Sequence, residues 1–282
     1  MRTNGNTRIY GLFGYPVKHT FSPGMHNAAF RKIGFNAIYF PFEVKPEDLK
    51  DALRAVKVLG ISGLNLTIPH KESCIRYLDG LSSEAKLIGA VNTIVADNKR
   101  LVGYNTDGEG FIISLKKDAH VDPGGKKIFI LGAGGAAKAI GFKLAKEGAA
   151  KIKIADIIRK RSLSLASNIK SNFSGCKVEV IRMDSISKLL ADVDIFINAT
   201  PIGLKHDDPL LIHPDLLHPK LVVCDLIYNP PQTKLLKCAM NKGLISINGL
   251  GMLLYQGAVC FELWTKKKAP IEIMKEALKN SL

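Results

Sequence analysis

Within seven residues, Asn65-Leu66-Thr67-Ile68-Pro69-His70-Lys71 brings together an amide, a hydroxyl and a primary amine. Gly89-Ala90-Val91-Asn92-Thr93 and Gly103-Tyr104-Asn105-Thr106-Asp107-Gly108 add further amides, hydroxyls and one carboxylate. Chemistry at a carbonyl or alcohol oxygen needs such a set: a group that gives or takes the proton, and donors that hold the substrate still. Asn65 and Thr67, two residues apart, point to one side of an extended strand because side chains alternate. Lys71 follows at what reads as a helix start. Each residue also has a plainer reading, with Asp107 as a helix cap, Lys71 as a surface amine and Asn92 as a turn residue. Taken one at a time, the residues leave both readings open.

A second constellation is Gly132-Ala133-Gly134-Gly135-Ala136-Ala137. A glycine triplet alone is a weak signal, but the apolar strand Ile128-Phe129-Ile130-Leu131 before it and a helix after it supply the context of a dinucleotide site. Gly132 allows the tight bend, Gly134 lets the backbone approach a pyrophosphate, and Ala137 lets helix and strand pack closely. The pyrophosphate then meets free N–H groups and the positive end of the helix dipole. Asp156 closes the next strand, 24 residues after Gly132. An acid there accepts hydrogen bonds from ribose hydroxyls and repels a 2′-phosphate, which favours NAD. Arg159, Lys160 and Arg161 pull toward NADP, since they can pair with that phosphate. Their plainer reading is a solvated helix start.

Strands and helices in alternation have to position these groups. Ile9 to Phe13 reads as a strand, and Ser22-Pro23 opens a helix with Ser22 as cap. Ala37 to Val44 and Ile61 to Ile68 read as strands on either side of a helix from Pro46 to Leu59. Val91 to Ala96 is a further strand, turned through Asp97-Asn98. This order implies a largely parallel sheet with helices on its faces. Thr106-Asp107 caps a helix to about Asp118, and a turn at Asp122-Pro123-Gly124-Gly125 precedes a new series. Its strands are Lys127 to Leu131, Lys151 to Ala155, Lys177 to Ile181, Asp194 to Ala199, Leu221 to Leu226 and Leu244 to Ile247. The helices between them include Ala136 to Glu147, Arg161 to Asn172, Ser185 to Leu190 and Gln232 to Lys242, and Met252 to Trp264 and Pro270 to Ser281 follow. The expected fold is α/β in two domains. Residues 1–112, completed by C-terminal helices over 252–282, carry the candidate chemistry, and residues 113–251 form a Rossmann-type doubly wound domain.

At 282 residues, 46% hydrophobic and 23% charged, the chain has the makings of two soluble cores. Met1 to Arg8 lacks the apolar stretch of a signal peptide, and no apolar run approaches the roughly 20 residues of a membrane span. Five scattered cysteines without a Cys-x-x-Cys pair suit reduced thiols in a cytoplasm. Neither they nor the seven histidines show metal-ligand spacing, so no metal is expected. Forty basic against 25 acidic residues give a formal charge of +15. The lysines recur singly or in short runs without aromatic interleaving, which suits a surface that steers small anions better than a nucleic-acid patch. Assembly as a homodimer is allowed by the sequence and not fixed by it.

Taken together, seven motifs resemble the shikimate dehydrogenase family in order and from about residue 10 to the C-terminus. They are Lys18 to Pro23, Asn65 to Lys71, Gly89 to Thr93, Asn105 to Gly108, Gly132 to Ala136, Asn198-Ala199-Thr200 and Gly249-Leu250-Gly251-Met252-Leu253. The resemblance implies reversible reduction of 3-dehydroshikimate to shikimate with NAD or NADP, on the route to aromatic amino acids. It implies Lys71 as the catalytic acid/base with Asp107 as its partner, and Asn65, Thr67 and Asn92 at the ring hydroxyls. Thr20, Ser22 and Tyr228 match hydroxyl donors to the substrate carboxylate, and Gln256 matches a further substrate contact. On the dinucleotide side it implies Gly132, Ala133, Gly134, Gly135, Ala136, Asp156, Arg161, Thr200, Leu226 and Gly249, with substrate in a closing cleft between the domains. Two departures stand out. The family usually has serine where this chain has Thr20, and NADP-using members usually have Asn-Arg-Thr where it has Asp156-Ile157-Ile158. The second resembles the NAD-using quinate/shikimate branch, and both leave the choice of shikimate or quinate open, so quinate stands as the alternative substrate and NAD as the favoured dinucleotide.

Overall fold

The computed structural model describes residues 3–188 and 190–282. Met1 and Arg2 of the opening segment, and Leu189 within the stretch read as a helix from Ser185 to Leu190, lie outside the described residues. The chain divides into unit 1, Met1–Gly110 with Leu253–Leu282, and unit 2, Phe111–Met252.

Unit 1 begins with β1 (Arg8–Gly14), α1 (Ser22–Lys32), β2 (Ala37–Glu43), α2 (Leu49–Leu59) and β3 (Gly63–Leu66). Then come α3 (His70–Ser73), β4 (Gly80–Leu81), α4 (Ser83–Ile88), β5 (Thr93–Asp97), β6 (Arg100–Tyr104) and the start of α5 (Asp107–Asp118). The sheet order is β2-β1-β3-β5-β6-β4. β1 runs parallel to β2 and β3, and β4 runs parallel to β6. The expectation of a largely parallel sheet fails at β5, which is antiparallel to both β3 and β6. The reason is local. Asn98 and Lys99 take φ of 46° and 63°, the left-handed pair of a two-residue hairpin turn, so the chain reverses into β6. Phe13, Leu49, Leu53, Val56, Leu64, Leu66, Ile94 and Leu101 pack as one buried core. A second group of buried rings includes Tyr10, Phe30, Tyr39 and Trp264.

The helix at Ser22 starts differently from the expectation. Phe21 holds the cap position, with no side-chain cap bond, and Pro23 lies in the first turn. The Ser22 N–H instead donates to Thr20 Oγ1 at 3.3 Å, so Ser22 is not the cap.

Unit 2 carries β7 (Lys127–Leu131), α6 (Gly135–Lys146), β8 (Lys151–Ala155), α7 (Arg159–Asn172), β9 (Lys177–Val180), β10 (Ile195–Asn198), β11 (Val222–Asp225), α8 (Lys234–Asn241) and β12 (Ser246–Ile247). All its strands pair in parallel in the order β12-β11-β10-β7-β8-β9, which from the far edge reads 3-2-1-4-5-6. Ile128, Ile130, Ile152 and Ile154 bury one sheet face against Ile140, Leu144, Leu165 and Ile169. Phe129, Leu131, Phe196 and Val223 bury the other with Leu235 and Leu236. Burial on both faces is why the central strands β7, β10 and β11 are mostly apolar, whereas β8 and β9 toward the edge alternate with charged residues. The helix read from Ser185 is instead a 3₁₀ turn over Met183–Lys188. Asp184 there accepts bonds from the neighbouring Arg182 and Ser185 side chains, and such local bonding competes with α-helix. α9 (Gly249–Thr265) begins three residues earlier than read from the sequence, because Asn248 Oδ1 accepts the Leu250 N–H at 3.0 Å. α10 (Ile271–Lys279) ends the fold. Among the described residues, no helix is long and apolar enough to cross a membrane.

Candidate active site

In unit 1, α3 follows β3 after a three-residue turn and presents Lys71 to the first residue of α5. Lys71 Nζ donates to Asp107 Oδ2 at 2.5 Å, and the two side chains are 17% and 5% exposed. A pair this close and largely shielded from water is a strong, charge-assisted bond. Asp107 is free to make it because the Asp107 N–H at the helix start donates to Asn105 Oδ1 at 3.0 Å. The plainer reading of Asp107 as the cap therefore gives way: Asn105 serves the helix and Asp107 faces the amine.

Asn92, just ahead of β5, fixes the other carboxylate oxygen. Its Oδ1 accepts the Thr106 N–H at 2.8 Å and the Thr93 hydroxyl at 3.0 Å. That orientation turns Nδ2 toward Asp107 Oδ1 at 2.8 Å and Gln256 Oε1 at 3.2 Å. Gln256 is held in turn by donating to the Leu253 carbonyl at 2.9 Å. Asn65 joins through Thr93, whose hydroxyl it approaches at 3.2 Å. One buried network thus connects Lys71, Asp107, Asn92, Asn65 and Gln256. Thr67 stands half-buried just past β3, and its N–H donates to the Phe13 carbonyl at 3.0 Å. Half-buried Thr20 and buried Ser22 lie at the start of α1, and neither they nor Thr67 is hydrogen-bonded to the network. Tyr228 belongs to unit 2, on the loop after β11. The sequence reasoning named neither Thr93 nor Thr106 as a site residue, although both are fully buried hubs of the network. Their signal is their place inside the Asn92-Thr93 and Asn105-Thr106-Asp107 motifs.

In unit 2, Gly132 sits at φ +104°, and an added Cβ would lie 2.7 Å from the Ala199 carbonyl oxygen. Only glycine serves that bend. At Gly134, by contrast, nothing lies within 4 Å of where a Cβ would be, so the backbone is open to a ligand. Lys138 is the first residue of α6 to bond back, to the Gly134 carbonyl at 2.9 Å. The N–H groups of Gly135, Ala136 and Ala137 therefore point out of the helix start, as a phosphate requires. Asp156, half-buried past β8, accepts the Ala133 N–H on one oxygen and the Ile158 N–H on the other, each at 2.7 Å. Arg159, Lys160 and Arg161 are exposed beside it.

On the far side of the turn, Asn198 Oδ1 accepts the Thr200 hydroxyl at 2.7 Å, and Asn198 Nδ2 donates to Asp225 Oδ1 at 3.0 Å. Burial pushes the Asp225 carboxyl above its ordinary range, against three hydrogen bonds that favour the charged form. A Cβ on Gly249 would collide with the Leu226 carbonyl, so that approach too requires glycine. The residues fit a dinucleotide: an open glycine, outward N–H groups, and an acid at the end of the next strand. Among the described residues, no group of three or more His, Cys, Asp or Glu side chains is placed to hold a metal.

The model of the shikimate dehydrogenase substrate binding domain matches residues 12–94. The shikimate / quinate 5-dehydrogenase model matches residues 114–205, and the shikimate 5'-dehydrogenase C-terminal domain matches residues 249–279. The shikimate dehydrogenase (NADP(+)) of Methanopyrus kandleri is 47% identical over 99% of this chain and 97% of its own. A shikimate dehydrogenase solved in complex with NADP+ superposes at a TM-score of 0.90 with 43% identity, covering 99% of this chain and 97% of that one. The Listeria monocytogenes shikimate 5-dehydrogenase in complex with shikimate and NAD gives 0.89 at 40% identity, over 99% and 98% of the two chains. The chain belongs to the shikimate dehydrogenase family of oxidoreductases.

Proposed function

We propose that this chain reversibly reduces 3-dehydroshikimate to shikimate, with unit 1 as the substrate domain and unit 2 as the dinucleotide domain. The observation that carries the reading is the largely shielded Lys71–Asp107 pair, 2.5 Å long and braced by Asn92. When bound, the nicotinamide supplies the hydride. The Lys71 ammonium gives its proton to the carbonyl oxygen, and Asp107 holds that ammonium in place and stabilises its charge. Asn65, Thr67 and Asn92 hold the ring hydroxyls together with Gln256, and Thr20, Ser22 and Tyr228 donate to the carboxylate. Gly132 to Ala136 cradle the pyrophosphate, and Thr200, Leu226 and Gly249 line the nicotinamide side. The five free thiols suit a cytoplasmic enzyme.

For the dinucleotide, each Asp156 oxygen spends one lone pair on a backbone N–H and keeps another for a ribose hydroxyl. On that ground NAD is used at least as well as NADP. A second reading favours NADP: Arg159, Lys160 and Arg161 crowd the positive end of α7 with no acid in its first turn, a placement that a bound phosphate would relieve. For the substrate, the extra methyl of Thr20 supports quinate as the second reading. Steady-state kcat/KM for shikimate and quinate, each with NAD and NADP, separates the four combinations. The expected order is shikimate over quinate and NAD no worse than NADP. Binding of dinucleotide without turnover of either substrate would overturn the reading and mark a sensor on the same scaffold.

A further inference from the structure

The network that braces Asp107 continues away from Lys71 to a residue outside the motifs. Tyr39, 1% exposed on edge strand β2, donates its hydroxyl to Asn65 Oδ1 at 2.8 Å. Asn65 Nδ2 donates to the Asn92 carbonyl and to Thr93 Oγ1, both at 3.2 Å. The Thr93 hydroxyl donates to Asn92 Oδ1 at 3.0 Å, and Asn92 Nδ2 donates to Asp107 Oδ1 at 2.8 Å. The chain of bonds therefore has one direction, from Tyr39 to the carboxylate that holds Lys71.

An amide has two ends of nearly one shape, and only its partners decide which end faces where. At Asn65 both N–H groups are used by Asn92 and Thr93, and one lone pair of Oδ1 is used by Tyr39. The Cys260 thiol approaches the same oxygen at 3.8 Å, but its one S–H has a nearer acceptor in the Gly257 carbonyl at 3.2 Å, so the second lone pair of Oδ1 remains for a ligand. Flipping the amide would set its oxygen against the Asn92 carbonyl, which can only accept, and would turn the Tyr39 hydroxyl from donor to acceptor. The Tyr39 donor is itself clamped. Its ring stacks on His26 with centroids 4.6 Å apart at 17°. Its backbone N–H and carbonyl are both held by the Asn27 side chain, at 2.8 and 3.0 Å.

We propose that Tyr39 is a positioning residue: its hydroxyl, together with the Asn92 carbonyl, holds the orientation in which Asn65 presents an oxygen and so accepts a hydrogen bond from a substrate hydroxyl. This rests on the reading of Asn65 as a ring-hydroxyl contact. Tyr39 touches no substrate and acts through Asn65 alone.

The test is steady-state kinetics on full-length Tyr39→Phe, Asn65→Ala and the double variant, varying shikimate and dinucleotide in turn. Tyr39→Phe keeps the ring that His26 stacks on. It should lower kcat/KM for shikimate about 5- to 10-fold, the cost of one buried hydrogen bond, and leave the KM for dinucleotide unchanged. In the Asn65→Ala background the same change should have no further effect. Tyr10→Phe removes the hydroxyl of an equally buried tyrosine that takes no part in this network, and serves as the control with unchanged kinetics. The proposal is overturned if Tyr39→Phe matches wild type, or if its loss recurs undiminished beside Asn65→Ala. If Asn65→Ala leaves shikimate kinetics untouched, the substrate role of Asn65 fails first and the role of Tyr39 falls with it.

Discussion

Asp156 accepts the Ala133 N–H on one oxygen and the Ile158 N–H on the other, so it shapes the glycine turn, and in the proposed reading it also meets a ribose. Replacing it with serine keeps a small hydrogen-bonding group and removes the charge that repels a 2′-phosphate. Arg159 and Arg161 then act on that phosphate unopposed. We expect Asp156→Ser to shift the ratio of kcat/KM for NAD over NADP toward NADP by about tenfold or more, measured at fixed shikimate. An unchanged ratio would leave Asp156 with the turn alone. Lys71, Asp107 and Asn92 are legible in the sequence by type and motif. The roles of Asn105, Thr93 and Tyr39 are not, because they depend on what each side chain meets across the sheet. Asn65 reaches Thr93 because β3 and β5 pair antiparallel with those two residues opposite each other. A register of that kind is written in no local pattern.

The element that ties the Tyr39 strand to its helix is α1, and it does so with a histidine that has no charge to offer. His26 is fully buried among Tyr39, Phe30, Trp264 and Cys260. Burial pulls the imidazole down to about 3 from an ordinary value near 6.5. Above pH 6.5 the ring is neutral both folded and unfolded. Below it, the unfolded chain takes up a proton that the folded chain refuses, so stability falls as pH drops from 6.5 toward 3. Between pH 7 and pH 5 this costs about 2 kcal/mol. Denaturant unfolding at the two pH values should therefore show wild type losing about 2 kcal/mol more than His26→Phe. Equal losses would mean that His26 takes up the proton in the folded protein.

At this scale the centre of unit 2 reads clearly from sequence, since β7, β10 and β11 are covered on both faces and are mostly apolar runs. Unit 1 reads only in part. β4 has two residues, too few for a pattern, and β6 is revealed only by the left-handed turn at Asn98 and Lys99 that folds it back.

As a whole, the molecule divides into two units, each with its own core, and the proposed reading gives them two kinds of chemistry. Lys71 and Asp107 lie in unit 1, and the Gly132 turn with Asp156 lies in unit 2. The net charge of +15 suits both, because a carboxylate substrate and a pyrophosphate are anions that a basic surface gathers. If the labour is divided in this way, removing the proton donor should stop the reaction and leave dinucleotide binding intact. The direct measurement is kcat for 3-dehydroshikimate alongside the dissociation constant for the dinucleotide, in wild type and in Lys71→Ala. The account predicts a fall in kcat of about a thousandfold with a dissociation constant within about twofold of wild type. A Lys71→Ala enzyme that turns over near the wild-type rate would contradict it.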